Sequence, residues 1–304
     1  MLKSMKIFIS ILVFFLCSTA NSIESFWSSG AESQLRLISP YTNIDSKSRL
    51  YIGLEYKLNE GWKTYWKSPG DGGFPQNINW DLSKNIEDIE ILWPAPSEFE
   101  VLGLNTIGYQ NQVIFPIKLD ILDISKEAKI NLDVNYLVCK DICIPGNAKL
   151  NLIIPPGNAK ITKYFFDIEK SLSQIPNKAL DISDIQEVIT TAYGDDSDVS
   201  INIKIKNFKQ FINPKFYLDT EFGLPVRKPI LKYSANFKEV EANFLFKKEL
   251  INKEKFLLTF LLVDNDLSFE FSDNIEIKEA SSLSIKLTSF MYFFLIAFIG
   301  GFIL

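Results

Sequence analysis

Two stretches of strict alternation constrain this chain more than any other feature. Ile130, Leu132, Val134 and Tyr136 alternate with Asn131, Asp133 and Asn135, and Val199, Ile201, Ile203 and Ile205 alternate with Ser200, Asn202, Lys204 and Lys206. A side-chain period of two puts the apolar set on one face of an extended strand, so each stretch needs a second layer to cover it. Shorter runs at 33–38, 50–58, 112–119, 149–154, 242–246, 255–263 and 267–271 are divided by turn residues, the pattern of β-sandwiches. With 304 residues and 47% hydrophobic content, the chain is long enough for two cores at roughly 100–200 residues per domain. The expectation is a mainly β protein with two sandwich domains, 23–156 and 178–284.

Between the two, Pro155-Pro156-Gly157-Asn158 breaks any strand. Ile161, Tyr164, Phe165, Ile168, Leu172 and Ile175 then recur at helical spacing until Pro176. Residues 157–177 therefore read as a linker with one short packing helix. The second domain carries no cysteine, no spaced carboxylate pair and no Gly-rich phosphate loop, which suits a structural or partner-binding role. Asp195-Asp196-Ser197-Asp198 lacks the spaced oxygen ligands of a calcium loop and reads as a solvated turn.

Both ends of the chain point to a membrane. Lys3 and Lys6 precede an apolar run over 7–16 and then small residues, the order of a signal peptide, with cleavage expected after Ser22. Residues 287–304 (LTSFMYFFLIAFIGGFIL) carry no charge. At 1.5 Å per residue they would extend about 27 Å as a helix, close to the ~30 Å of a bilayer core. They read as a transmembrane helix, interrupted by the end of the sequence. The intervening region is then expected outside the cytoplasmic membrane, where disulfides persist.

The formal net charge of −5, without a basic stripe, argues against nucleic acid as a partner. The absence of histidine removes Ser-His and Cys-His catalysis and histidine-ligated zinc. Of the three cysteines, Cys17 falls in the signal peptide, which leaves Cys139 and Cys143 as the candidates for chemistry. Four residues of flat strand would hold their Cα atoms about 13 Å apart, whereas a disulfide needs roughly 4.4–6.8 Å, so a bonded pair requires a turn between them. Pro145 and Gly146 are expected to break the chain again, leaving the pair on a protruding turn with Tyr136, Lys140, Asp141 and Pro145 around it. Three readings remain open on the spacing alone. A structural staple would gain only about 2 kcal/mol from so small a loop. A redox pair opens and closes without unfolding its host. Two thiolates can also hold Cu(I), although no metal site is expected, because the soluble region has neither His nor Met.

The segments 61–71 (GWKTYWKSPGD), 99–109 (FEVLGLNTIGY), 136–145 (YLVCKDICIP) and 298–304 (FIGGFIL) together resemble the N-terminal region of DsbD/ScsB-type thiol:disulfide interchange proteins. The resemblance implies an immunoglobulin-like sandwich that exchanges two electrons at Cys139 and Cys143 without a cofactor, and two such sandwiches are the expected architecture. It implies a thioredoxin-like domain as electron donor. The implied clients are periplasmic thioredoxin-fold oxidoreductases, either disulfide isomerases or cytochrome c maturation factors, with Cys143 forming the mixed disulfide and Cys139 resolving it. It also implies a flexible cap over the cysteines, placed at 98–103 with Phe99 as the covering residue and Glu100 and Leu102 beside it. The location implied is the inner membrane, with the soluble region in the periplasm. Relay cysteines of a membrane domain and a terminal CxxC are absent from these residues. Lys140 is the candidate cation for a thiolate, and Trp62, Tyr65 and Trp66 are expected to be packing residues.

Overall fold

The computed structural model describes residues 23–279, apart from 31, 47, 179–182, 221–224, 252 and 266. The signal peptide expected at 1–22 and the membrane segment expected at 287–304 lie outside the described residues. Among the described residues, no helix is long and apolar enough to cross a membrane. The protein is mainly β, and the chain divides into two compact units between Pro176 and Asn177.

The first unit contains β1 (Ser28–Gly30), β2 (Ser33–Ile38), β3 (Arg49–Leu58), β4 (Lys63–Gly70), β5 (Asn77–Asn79) and β6 (Ile86–Ile91). It continues with β7 (Ser97–Val101), β8 (Leu104–Gln110), β9 (Gln112–Ile121), β10 (Ala128–Cys139) and β11 (Cys143–Ile154). One sheet has the order β1-β2-β3-β9-β6 and the other β11-β10-β4-β8-β7, with β5 attached to β10. Alternation places Ile130, Leu132, Val134, Tyr136 and Val138 of β10 on the buried face. Each such side chain contributes roughly 1.5–3 kcal/mol on leaving water. The sheets meet face to face through aromatic edges: Tyr56 of β3 lies 5.6 Å from Tyr136 of β10, and Tyr109 of β8 lies 5.0 Å from Phe115 of β9. Tyr136 also shares a 2.8 Å hydrogen bond with Ser33 of β2.

The helix, α1 (Phe165–Ser173), is shorter than the apolar stripe suggests. Its approach is pinned to the first unit, because Tyr41 bridges Ile161 and the Thr162 hydroxyl donates to the Ser39 carbonyl at 2.6 Å. Tyr164, Ile168 and Leu172 pack on Ile38 and Ile114. Gly53 makes room beneath, since a Cβ there would sit 2.8 Å from Ile114 and 3.3 Å from Ile168. The helix therefore covers the outer face of the first sheet. Arg36 lies between Glu24 and Glu55, bonding the latter at 2.6 Å, and its guanidinium stacks 4.2 Å over Trp27.

The second unit holds β12 (Asn177–Lys178), β13 (Ile185–Gly194), β14 (Asp198–Asn207), β15 (Lys215–Thr220), β16 (Ile230–Tyr233), β17 (Glu239–Lys247), β18 (Lys255–Asp264) and β19 (Leu267–Glu279). The order is β15-β18-β19-β13-β14-β17-β16, with β12 parallel to β19. One core unites Val199, Ile201, Ile203 and Ile205 of β14 with Phe256, Leu258, Phe260 and Leu262 of β18. The two halves of the sheet thus face one another across that core, linked where the end of β19 runs parallel to β13 at Ala192–Gly194.

The sequence expectation of a second break at Pro145 and Gly146 is corrected. Both lie inside β11, opposite Leu137 and Tyr136 of β10. β11 is an edge strand, where the missing Pro N–H costs no ladder bond. Gly146 is there for space: a Cβ would lie 2.3 Å from the ring of Tyr136.

Candidate functional site

β10 and β11 form a long hairpin whose last register pair is Cys139 and Cys143. Lys140, Asp141 and Ile142 make the turn, and the two cysteines are joined in a disulfide with Cα atoms 4.1 Å apart. The turn required by the spacing is therefore present. The pair does not stand clear of the protein as expected, because Cys139 is fully buried while Cys143 is exposed.

The difference follows from strand faces. Along β10 the inward residues end at Val138, so Cys139 points to the outer face of its sheet. That face would be open to solvent, but Cys139 clusters there with Tyr65, Val101, Phe99 and Leu137. The cover comes from the β7–β8 hairpin, closed by Leu102 and Gly103 between the paired residues Val101 and Leu104. Leu102 and Gly103 have φ of 53° and 78°, the left-handed conformations of a tight two-residue hairpin turn. The segment expected as a flexible loop is a hydrogen-bonded hairpin.

Phe99 is where the cap reading placed it, half-buried in the Cys139 cluster, 6.4 Å from the Tyr65 ring. Glu100 and Leu102 are exposed and stand outside the cluster. Val101 takes the buried place that the sequence reading gave to neither. Tyr65 was expected to be packing alone, yet its hydroxyl lies 4.0 Å from Sγ of Cys143. Burial pushes its phenol up to about 12. Trp66, its neighbour, does belong to the buried set.

Lys140 is turned away from the sulfurs: its ammonium donates to the Glu60 carbonyl at 3.3 Å, and its stem lies against Gly61. The cation beside the pair is Lys63, the cross-strand partner of Cys139 on β4. Its ammonium rests 5.3 Å over the ring of Phe99. Only the pairing of β4 with β10 reveals this, since nothing within four residues of either cysteine points to Lys63. Asp141 is exposed on the turn, and Pro145 and Tyr136 shape β11 from opposite sides. Among the described residues, no group of three or more Cys, Asp or Glu side chains is arranged to hold a metal ion.

An exposed sulfur bonded to a buried one, under a hairpin cover, suits attack from outside followed by resolution from within. Residues 36–155 match the family model described as thiol:disulfide interchange protein DsbD, N-terminal. The first unit is a DsbD/ScsB-type N-terminal domain. The crystal structure of the N-terminal periplasmic domain of ScsB from Proteus mirabilis is similar, at a TM-score of 0.67 and 25% identity. The match covers 85% of this chain and 100% of that one, so the likeness to ScsB extends past the DsbD-type domain into the second unit. An endo-fucoidan hydrolase from glycoside hydrolase family 107 also matches, at 8% identity over 77% of this chain and 35% of that one. Its TM-score of 0.17 carries no argument. No curated protein matches the chain. The DsbD-type domain is a thiol-disulfide exchange module, and Cys139 and Cys143 are its cysteine pair.

Proposed function

We propose that this chain delivers electrons to periplasmic thioredoxin-fold oxidoreductases, acting as the client-facing end of a protein-disulfide reductase. The observation that carries the reading is the asymmetry of the pair: Cys143 is open to a partner and Cys139 is sealed under Phe99, Val101 and Tyr65. In the reduced state the Cys143 thiolate attacks a client disulfide, breaking that bond and forming a mixed disulfide while the client's second sulfur leaves as a thiolate. Cys139 then attacks Cys143, restoring the internal disulfide and releasing the client dithiol. Two electrons pass to the client, and the two protons held by the thiols end on its sulfurs. A thioredoxin-like domain of the same system would reduce the pair again by the reverse steps.

The similarity to the N-terminal periplasmic domain of ScsB from Proteus mirabilis supports the same compartment here, with the soluble region between a signal peptide at 1–22 and an inner-membrane helix at 287–304. The domain limits we propose are 23–156 for the redox sandwich, 157–177 for linker and helix, and 178–284 for a second immunoglobulin-like sandwich. Disulfide isomerases and cytochrome c maturation factors are the proposed clients.

The test is a redox titration with thiol trapping. A potential poised between thioredoxin-like donors and periplasmic acceptors, with a mixed disulfide trapped at Cys143 in the Cys139→Ser variant, is the expected result. A potential well below about −300 mV, with thiols that react only after unfolding, is the behaviour of a structural staple and sinks the proposal. Tight Cu(I) binding that Cys139→Ser abolishes would redirect it to copper.

A further inference from the structure

Four large apolar side chains that stand in water lie on segments that run to the cysteine pair: Phe74 at 73% exposure, Leu102 at 66%, Ile142 at 60% and Leu104 at 45%. They come from three separate segments that the fold draws to one rim. Ile142 precedes Cys143 in the turn. Leu102 follows Val101, a member of the Cys139 cluster. Leu104 lies against Gly72, where a Cβ would be 2.7 Å from its Cδ1, and the Asp71 N–H donates to the Asn105 carbonyl at 2.9 Å. Gly73 lies flat on the Tyr65 ring, where a Cβ would be 2.5 Å from Cζ. That carbon bears the hydroxyl found 4.0 Å from Sγ of Cys143. Phe74 is one Cα step, about 3.8 Å, beyond Gly73.

Much of each of these side chains is left in water instead of in the core. Leu102 holds a φ of 53°, a conformation that Asn or Gly adopts more easily than a branched side chain. Phe74 buries little of its ring. Clustered exposed apolar side chains mark a surface that another molecule covers. Here the position of that molecule is set by chemistry, because any protein bonded to Sγ of Cys143 must lie over this rim. A standard interface covers about 800 Å² on each partner, a disc of roughly 16 Å radius.

We infer that Phe74, Leu102, Leu104 and Ile142 form the docking rim for the thioredoxin-fold client, with Phe74 as its anchor. This rests on the function proposed above and adds how the client is recognised. The client is held by an apolar annulus around its accessible disulfide and not by charge, so exchange has a weak dependence on salt. Small disulfides do not need the rim.

The experiment compares two substrates for the reduced full chain: oxidised protein disulfide isomerase, a thioredoxin-fold acceptor more oxidising than thioredoxin, and hydroxyethyl disulfide as the small one. Phe74→Ser is expected to slow reduction of the isomerase at least tenfold and leave hydroxyethyl disulfide unaffected. Leu102→Asn is expected to slow reduction of the isomerase severalfold while the melting temperature holds or rises, which separates docking from folding. Equal slowing on both substrates, or no slowing on either, overturns the docking rim and leaves the redox reading intact. If the wild-type chain exchanges with hydroxyethyl disulfide but not with the isomerase, the redox reading's choice of client fails and the rim fails with it.

Discussion

The two units solve the same packing problem with different consequences. In β14 of the second unit, Val199, Ile201, Ile203 and Ile205 are buried and each alternate residue is at least partly in water. In β4 of the first unit, Thr64, Tyr65 and Trp66 are buried in succession, and β10 ends with Val138 and Cys139 both buried. A strand with one solvent face cannot bury consecutive residues, so something must cover the outer face there. That cover is the β7–β8 hairpin, and the sulfur it hides is half of the Cys139–Cys143 disulfide. Consecutive burial thus marks a covered outer face: it recurs on β3, where Ile52 to Tyr56 are buried beneath α1, and on β18 of the second unit at Phe260, Leu261 and Leu262, whereas at β4 and β10 the covered set includes a sulfur.

The largest effect is expected from exchanging the fates of the two sulfurs. Cys143→Ser should reduce exchange to background, whereas Cys139→Ser should leave Cys143 able to capture a client as a stable mixed disulfide, read on non-reducing gels. Capture by the Cys143→Ser variant would show that the buried sulfur attacks first. Next in size are the cores. Trp66→Ala and Phe260→Ala each empty a fully enclosed aromatic site and should each cost about 3–5 kcal/mol in urea unfolding. Only the first should alter reduction of the disulfide by dithiothreitol. An altered rate in Phe260→Ala would mean that the second unit takes part in the chemistry.

Phe99→Ala removes a half-buried ring from the cover, a loss of about 1–2 kcal/mol. If the cover limits access, dithiothreitol should then reduce the pair roughly tenfold faster. An unchanged rate would reduce Phe99 to packing. The buried phenols give a pH test of the same cover. Desolvation raises Tyr65 from 10.0 to about 12 and holds Tyr56 and Tyr109 well above the usual phenol range. The folded state therefore keeps these protons more tightly than the unfolded chain. Their contribution is complete below pH 10 and is lost as the pH rises toward and beyond 12. Melting temperatures between pH 9 and pH 12 should fall, and Tyr65→Phe should lessen the fall. The smallest effect is expected at Lys63, the cross-strand neighbour of Cys139. A unit charge about 4 Å away in a water-like medium is worth about 1 kcal/mol, and less as the separation grows. Lys63→Met should then slow iodoacetamide alkylation of the reduced pair about threefold at neutral pH, and Lys63→Arg should restore it.

Much of the architecture was legible because period-two burial is a local property. The runs around 33–38, 50–58, 112–119 and 130–138 are all strands in the structure. The run expected at 149–154 begins earlier, at Cys143, because an edge strand tolerates Pro145 and Tyr136 fills the space over Gly146. β7 and β8 were read only as a cap and a motif. Their residues serve two layers, so the apolar positions of 97–110 do not follow one face. Phe99 was legible through the resemblance alone, and Val101, Tyr65 and Lys63 escaped it because their relation to the cysteines exists only across strands.

From the sequence alone came the strand periodicity and the chemistry at hand: with no histidine and one pair of thiols beyond the first 22 residues, Cys139 and Cys143 stood out. Their spacing also required a turn, whatever the rest of the fold. What the sequence left open was which sulfur faces water. That depends on contacts between residues far apart in the chain, such as Tyr65 and Cys143 across 78 positions. Local propensity states which faces are apolar but not which apolar faces meet. The packing of Phe99 and Val101 of β7 with Tyr65 of β4 seals Cys139, while Cys143 stays exposed.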